Sequence, residues 1–409
     1  MSKKLMKMAY KMPPQENWNA FRDPTQTNPN YITEEHYDRL VEAGFTHGMG
    51  LLEHGADVAV RALETAQECG LKYYVRDEIN WANILHKDFY YLNAENYKKY
   101  MQYDSFAGVY IYDEPNTSKY PELGAMVKGY YEFFKGVGEP LVNLLPTYAS
   151  HVEQLGAANY EEYILDYIQS VPTDYVMYDH YPFRFAENGE IILHTDYLYN
   201  VSAVAKLCKE HGKELRTFVQ SCNTSRLPGE LPSEMLYFQI HTSLAYGSRA
   251  IVYFYYWGDM EGLGYHGLMD EQGNPQPLYY GAKKIHAQLL AYEDALMESV
   301  WQKTLYVRGS KAHHNQTEFA RFENSVCERN GGDEFSSEYD SIVGVFDYKG
   351  KKAYYAVNYV HPDLGLKNTL SFRLSGKYDV YHDGEKLTVN KEGEIALNVG
   401  CGAFFLPKE

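Results

Sequence analysis

The chain reads as an α/β protein: a (β/α)8 barrel of the TIM type over residues 1–299, then a small C-terminal all-β sandwich over residues 300–409. Three observations predict this. From residue 5 to about residue 295, short apolar runs alternate with longer amphipathic segments, close to the ~250 residues of a TIM barrel. No GxGxxG or Walker loop occurs, as a nucleotide-binding doubly wound sheet would carry. Beyond Val300 the texture changes to short alternating runs between Gly, Asn and Asp turns.

Taken in order, Leu5–Lys11 is the first expected strand, leading into a loop rich in Pro, Asn and Gln. Thr33-Glu-Glu-His opens a helix, with threonine as cap and acids in the first turn, and Gly44 ends it. Thr46–Leu52 is the second strand, Ala56–Cys69 a helix stopped by Gly70, and Leu71–Val75 the third strand, running into Arg76-Asp77-Glu78. Helix Ala94–Gln102 leads to the fourth strand, Ala107–Asp113, which ends in Asp113-Glu114-Pro115. Helix Tyr120–Lys135, strand Pro140–Leu145 and helix Tyr160–Val171 follow, then strand Asp174–Tyr178, ending in Asp179-His180-Tyr181-Pro182. Helix Tyr197–His211 precedes strand Leu215–Val219, which ends at Gln220. Helix Pro232–Tyr246, strand Ala250–Tyr255 with Trp257 beyond it, and a long helix Tyr279–Glu298 complete the barrel. The sandwich strands are Lys303–Arg308, Phe319–Glu323, Ser341–Tyr348, Lys352–Tyr359, Thr369–Leu374, Lys377–Tyr381 and Ala403–Leu406, with Asn330–Ser337 as an acidic, glycine-bearing loop.

Composition bounds the function. The 409 residues are 45% hydrophobic and 23% charged, as in an ordinary globular protein. A formal net charge of -17 argues against nucleic-acid or anionic-membrane partners, which need a positive footprint. Tyrosine is the outlier, 41 residues against 18 Phe and 4 Trp; part of that excess suits a hydroxyl-rich cleft and most suits a large core. The five cysteines show no CxxC or zinc-type spacing and read as reduced thiols, and no cofactor is expected. No apolar run follows the basic N-terminus, and none is long enough to cross a membrane. The expected location is the cytoplasm, or outside the cell for a chain trimmed of its signal. A homo-oligomer is compatible with this layout.

In a barrel the C-terminal ends of the strands form the reactive face. That mouth would carry Glu53, Asp77, Glu78, Asp113, Glu114, Tyr148, Asp179, His180, Tyr181, Gln220, Trp257 and Asp259. A buried strand that runs into Asp113-Glu114 cannot leave two charges desolvated without partners, so they belong in a polar cleft. Two carboxyls across a small gap are the working part of glycoside hydrolysis, and aromatics bind the apolar face of a sugar. The plainer alternative is a strand-end aspartate capping the next helix with Glu114 in solvent. A carboxylate/histidine metal site from Asp77, Glu114, Asp179 and His180 is the weaker option, since no tight ligand spacing supports it.

The first 300 residues resemble the clan A-like glycoside hydrolases with (β/α)8 barrels, and look closest to an uncharacterised gut-bacterial branch. The resemblance rests on Tyr110–Pro115, Val142–Tyr148, Tyr178–Phe183, Phe218–Ser221 and Val252–Trp257. It implies Glu114 as acid/base, with Asp113 in place of the clan's asparagine, Tyr181 as the strand-six tyrosine and Trp257 beneath the sugar. One departure matters. The clan's strand-seven nucleophile is a glutamate, and this chain has Gln220.

Three readings follow from Gln220. Another carboxylate takes over, Asp179 first, with Asp77 and Glu53 behind it. Or the substrate supplies its own nucleophile, such as an N-acetyl group held by Gln220. Or the barrel binds carbohydrate without chemistry, or Gln220 is itself a Glu-to-Gln change. The expectation is a glycoside hydrolase with Glu114 as general acid, Asp179 as base or nucleophile and Gln220 positioning substrate or water. Asp113, Asp77, Tyr148, His180, Tyr181 and Trp257 would hold a carbohydrate substrate. The competing class is a carbohydrate-binding barrel that lost its nucleophile.

Overall fold

The structure is a computed structural model. It describes residues 4–18, 25, 27–51, 53–76, 94–224, 227, 229–258, 266–311 and 327–408. The barrel strands are β1 (Met6–Tyr10), β2 (His47–Met49), β3 (Lys72–Val75), β4 (Phe106–Asp113), β5 (Glu139–Asn143), β6 (Tyr175–Tyr178), β9 (Glu214–Gln220) and β10 (Ala250–Phe254). They form one sheet in the order β5-β4-β3-β2-β1-β10-β9-β6. The pairs from β1 to β5 are parallel. The two ends of the order meet through a parallel bridge between Leu144 and Tyr178, with the Leu144 N–H donating to the Met177 carbonyl at 2.9 Å. That contact closes the barrel. Gly108 in β4 has φ of +143°, and a Cβ there would lie 1.8 Å from the Glu139 carbonyl. Only glycine lets β4 and β5 approach so closely.

By compactness the chain divides into two units. One comprises Met6–Asp179 and Val252–Tyr279. It holds β1–β6 and the helices α1 (Glu34–Glu42), α2 (Ala56–Glu68), α3 (Ala94–Tyr100), α4 (Tyr120–Phe134) and α5 (Tyr160–Ser170). Thr33 precedes α1 in an extended conformation, but its hydroxyl bonds His36 Nδ1 at 2.8 Å instead of capping the helix backbone. The tyrosine excess goes largely into the core: the largest fully buried side chains are tyrosines, Tyr37, Tyr73, Tyr110 and Tyr163 among them. Several buried hydroxyls secure the main chain, as Tyr175 donates to the Pro140 carbonyl at 2.6 Å and Tyr160 to the Leu145 carbonyl at 3.0 Å. A buried hydroxyl left unpaired costs about 1–3 kcal/mol, so each such pairing favours tyrosine at its place in the core.

The other unit comprises Met1–Leu5, His180–Ile251 and Tyr280–Glu409. It begins with a hairpin, β7 (Phe183–Phe185) and β8 (Ile191–Leu193), and continues through α6 (Tyr197–Glu210), β9 and α7 (Ser233–Ala245). Helix α7 is buried all round, as a helix of this composition must be. Its Phe238 ring packs on Tyr359 at 4.9 Å, and its His241 Nδ1 shares a 2.8 Å hydrogen bond with the Tyr355 hydroxyl. The long helix expected over Tyr279–Glu298 is two helices, α8 (Pro277–Leu289) and α9 (Glu293–Glu298). Tertiary anchors break it: the Tyr292 hydroxyl bonds Tyr355 at 2.9 Å, and Glu293 accepts from the Leu5 N–H at 3.0 Å.

The C-terminal strands are β11 (Val300–Val307), β12 (Cys327–Asn330), β13 (Asp333–Ser337), β14 (Ser341–Tyr348), β15 (Lys351–Asn358), β16 (Asn368–Arg373), β17 (Tyr378–His382), β18 (Glu385–Val389), β19 (Glu392–Leu397) and β20 (Gly402–Pro407). They form two antiparallel sheets, β11-β14-β15-β20-β17-β18 and β12-β13-β16-β19. Phe335, Leu370 and Phe372 of the smaller sheet share one core with Val343, Tyr354 and Phe405 of the larger. The all-β expectation therefore holds. Asn330–Ser337 is not a loop: Gly331 and Gly332 turn a hairpin between β12 and β13. The run Phe319–Glu323 lies outside the described residues.

Candidate active site

Strand β4 delivers the first acids. Ile111 is buried, Asp113 is half-buried, and Glu114 is exposed. Glu114 takes φ of +50°, a left-handed conformation that a non-glycine residue keeps only when its surroundings compel it. Two contacts compel it. The Glu114 N–H donates to the Asn143 carbonyl at 2.9 Å. Pro115 follows, and its carbonyl accepts from the Tyr163 hydroxyl at 2.8 Å.

Asn143 ends β5 and organises the acids. Its Nδ2 donates to Asp113 Oδ1 and to Asp179 Oδ1, each at 3.1 Å. Its side chain is buried, and its Oδ1 has no hydrogen-bond partner among the described residues. Asp179 follows β6, is buried, and is held by its own N–H on the Leu144 carbonyl at 3.3 Å. The Glu114 and Asp179 carboxyls act on one another electrostatically.

A cation and two phenols face this cluster. Arg76, at the end of β3, bonds the Tyr10 hydroxyl at 2.8 Å and lies 5.0 Å from the centre of the Tyr110 ring. Asp113 acts electrostatically on both Arg76 and Tyr110. Burial pushes the Tyr10 phenol up, and Arg76 opposes that shift.

Proton affinities follow from the crowding. Burial first, then the charges of Glu114 and Asp113, hold the Asp179 carboxyl well above the usual range, against the donor from Asn143. Burial of the carboxyl, then Asp113, raises Glu114 to about 7, and the hydrogen bond with Asp179 opposes the rise. Glu114 as a whole residue reaches solvent, but its carboxyl end is crowded by two other acids, and the crowding decides its affinity. Each of these two carboxyls makes ionisation of the other less favourable.

The other expected residues are placed as follows. Glu53 is buried and committed elsewhere, accepting from the Tyr73 hydroxyl and, at 3.0 Å, from the Arg76 N–H. A Cβ on Gly50 would lie 2.0 Å from its carboxylate, so glycine makes its room. Trp257 is only 5% exposed: Tyr31 at 4.7 Å and His36 at 5.4 Å cover it, where the resemblance implied an open platform. Tyr148 is exposed. Gln220, in the second unit, is fully buried. Its Oε1 accepts from the Phe183 N–H and its Nε2 donates to the Phe183 carbonyl, both at 3.0 Å, with Thr224 as a third partner. That amide ties β9 to the β7 backbone. His180 is buried beside Asp196, and burial lowers its proton affinity against the pull of Asp196; Tyr181 is half-buried. Asp77, Glu78 and Asp259 lie outside the described residues.

Sequence reasoning assigned no role to Asn143, Arg76, Tyr10 or Tyr110. A signal existed for two of them. Asn143 is the polar residue at the end of an apolar strand, and Arg76 is the strand-end cation beside an acid.

No family model matches the chain, and no curated protein matches it in sequence. Among solved structures it is similar to a candidate α-L-fucosidase from Bacteroides thetaiotaomicron, with 13% identity over 70% of this chain and 96% of that one and a TM-score of 0.49. It is also similar to a β-galactosidase from Marinomonas ef1, with 11% identity over 72% and 62% of the two chains and a TM-score of 0.47. An endo-β-1,4-mannanase from Thermotoga petrophila aligns over 97% and 98%, with 11% identity and a TM-score of 0.43.

Proposed function

We propose that the barrel is a glycoside hydrolase whose working pair is Glu114 and Asp179. The observation that carries this is the acid cluster at the ends of β4 and β6, where the Asn143 amide holds Asp113 and Asp179 together and Glu114 follows Asp113 directly. Glu114 is the exposed member, so it meets the substrate first and serves as general acid. A pKa of about 7 keeps it protonated near neutrality, as an acid must be. Its proton passes to the glycosidic oxygen as the bond from that oxygen to the anomeric carbon breaks. In the reactive protonation state, with Glu114 protonated and Asp179 ionised, the Asp179 carboxylate forms a bond to the same carbon. Glu114, now ionised, takes a proton from water, whose oxygen displaces Asp179 and releases the sugar.

The unpartnered Asn143 Oδ1 offers an acceptor for a sugar hydroxyl, and Asp113 holds the charge that raises Glu114. The substrate is a neutral or cationic carbohydrate, in keeping with the acidity of the site.

The test is a panel of nitrophenyl glycosides and natural oligosaccharides. Wild type should cleave at least one member, and Glu114→Gln should cleave it about 10²–10⁴-fold more slowly. Full activity in Glu114→Gln refutes the assignment. Binding without cleavage by wild type would favour a carbohydrate-binding barrel instead.

A further inference from the structure

We propose that His180, His194 and Asp196 form a binding site for a divalent transition metal of zinc type, separate from the carboxyl pair. The three side chains each offer one ligand atom, and all three atoms lie within 4.8 Å of one another. His180 Nε2 is 3.3 Å from Asp196 Oδ1, and His194 Nδ1 is 3.1 Å from the same oxygen. In a tetrahedral zinc site with bonds of about 2.0–2.1 Å, neighbouring ligand atoms lie about 3.3 Å apart. The two measured spacings fit that geometry. Two histidines and a carboxylate are also a recurrent zinc ligand set, with the fourth position left for water. His180 is buried, while His194 and Asp196 are partly exposed, so the cluster lies between core and surface.

A second observation comes from the helix. Asp196 occupies the N-cap position of α6, where an aspartate normally accepts a hydrogen bond from the helix backbone, yet its side chain makes no such bond. The carboxylate faces the two imidazoles instead. The positive end of α6 disfavours a nearby cation, and the charge of Asp196 offsets it.

The site would tie together three points of the chain: the residue that follows the end of β6, the strand β8 side of the hairpin, and the start of α6. His180 is covalently next to Asp179, so a bound metal would fix the main chain at the buried acid. Its part is positioning.

The experiment uses the full chain, stripped with a chelator and dialysed against Zn²⁺. Plasma mass spectrometry should find about one zinc per chain, and Co²⁺ should give the intense visible bands of a tetrahedral site. His194→Ala, at a partly exposed position, should bind zinc about 100-fold more weakly and lose the cobalt bands. Zn²⁺ should raise the Tm of wild type and leave that of His194→Ala unchanged. Asp196→Asn, which keeps the size of the side chain, is the second variant and should weaken binding likewise. The proposal is overturned if wild type retains no stoichiometric metal, or if both variants hold zinc as tightly as wild type. Neither outcome bears on Glu114, so the glycosidase reading stands or falls separately.

Discussion

Replacing Glu114 with glutamine should make the protein more stable above neutrality and leave it nearly unchanged in mild acid. Glu114 has its carboxyl raised from 4.5 to about 7 in the folded chain. A folded pKa above the unfolded one means that stability is fully present below 4.5 and is lost as pH rises through about 7. Above that pH, folding holds an ionised carboxyl against Asp113 and inside a crowded site. The full shift corresponds to an upper bound of about 3 kcal/mol. Glu114 is exposed, and solvent screening reduces this to about 1 kcal/mol. Glutamine has the same length and carries the same left-handed backbone penalty, so those contributions cancel. Thermal unfolding at pH 5 and pH 8 measures the difference. For a chain of this size about 1 kcal/mol is a Tm gain of roughly 1 °C at pH 8, shrinking toward zero at pH 5. A variant that is destabilised at pH 8, or equally stabilised at both pH values, would refute the crowding argument. No substrate is needed.

Three further outcomes follow from the same cluster and its scaffold. Asp113→Asn removes a charge that raises Glu114, so the alkaline limb of kcat/KM should fall by about one pH unit; an unmoved limb means Asp113 does not act on the acid. Asn143→Ala takes the shared donor from Asp113 and Asp179 and should lower stability by about 1–3 kcal/mol in urea unfolding. Because Asn143 favours the ionised form of Asp179, that loss should grow as pH rises. Gly108→Ala places a Cβ 1.8 Å from the Glu139 carbonyl, and the chain should either lose more than about 3 kcal/mol or fail to accumulate as folded protein.

Much of the barrel was legible because alternation of apolar strands and amphipathic helices is a local property. Phe106–Asp113, Tyr160–Ser170 and Tyr175–Tyr178 lie within a residue or two of the sequence expectation. So was the change to an all-β texture after Val300, since period-two patterning also needs no partner to be visible. The acids Asp113, Glu114 and Asp179 could be placed at strand ends for the same reason: a charge that follows an apolar run must leave the core.

What the sequence could not state is which side chains meet. Asn143 reads as an ordinary polar residue until β4, β5 and β6 lie side by side and bring Asp113 and Asp179 within reach of its one amide nitrogen. Gln220 stood in line for a catalytic role by position alone. Its burial against the Phe183 backbone depends on a hairpin that no strand pattern announced, because β7 and β8 are three residues each. Trp257 invited a sugar platform, and Tyr31, far away in sequence, covers it. His180, His194 and Asp196 have no motif spacing, since the hairpin between them does the bringing together. Sequence determines the period of each element and the polarity of its ends. Pairing across elements depends on through-space distances of a few ångströms, and those exist only once the sheet has closed.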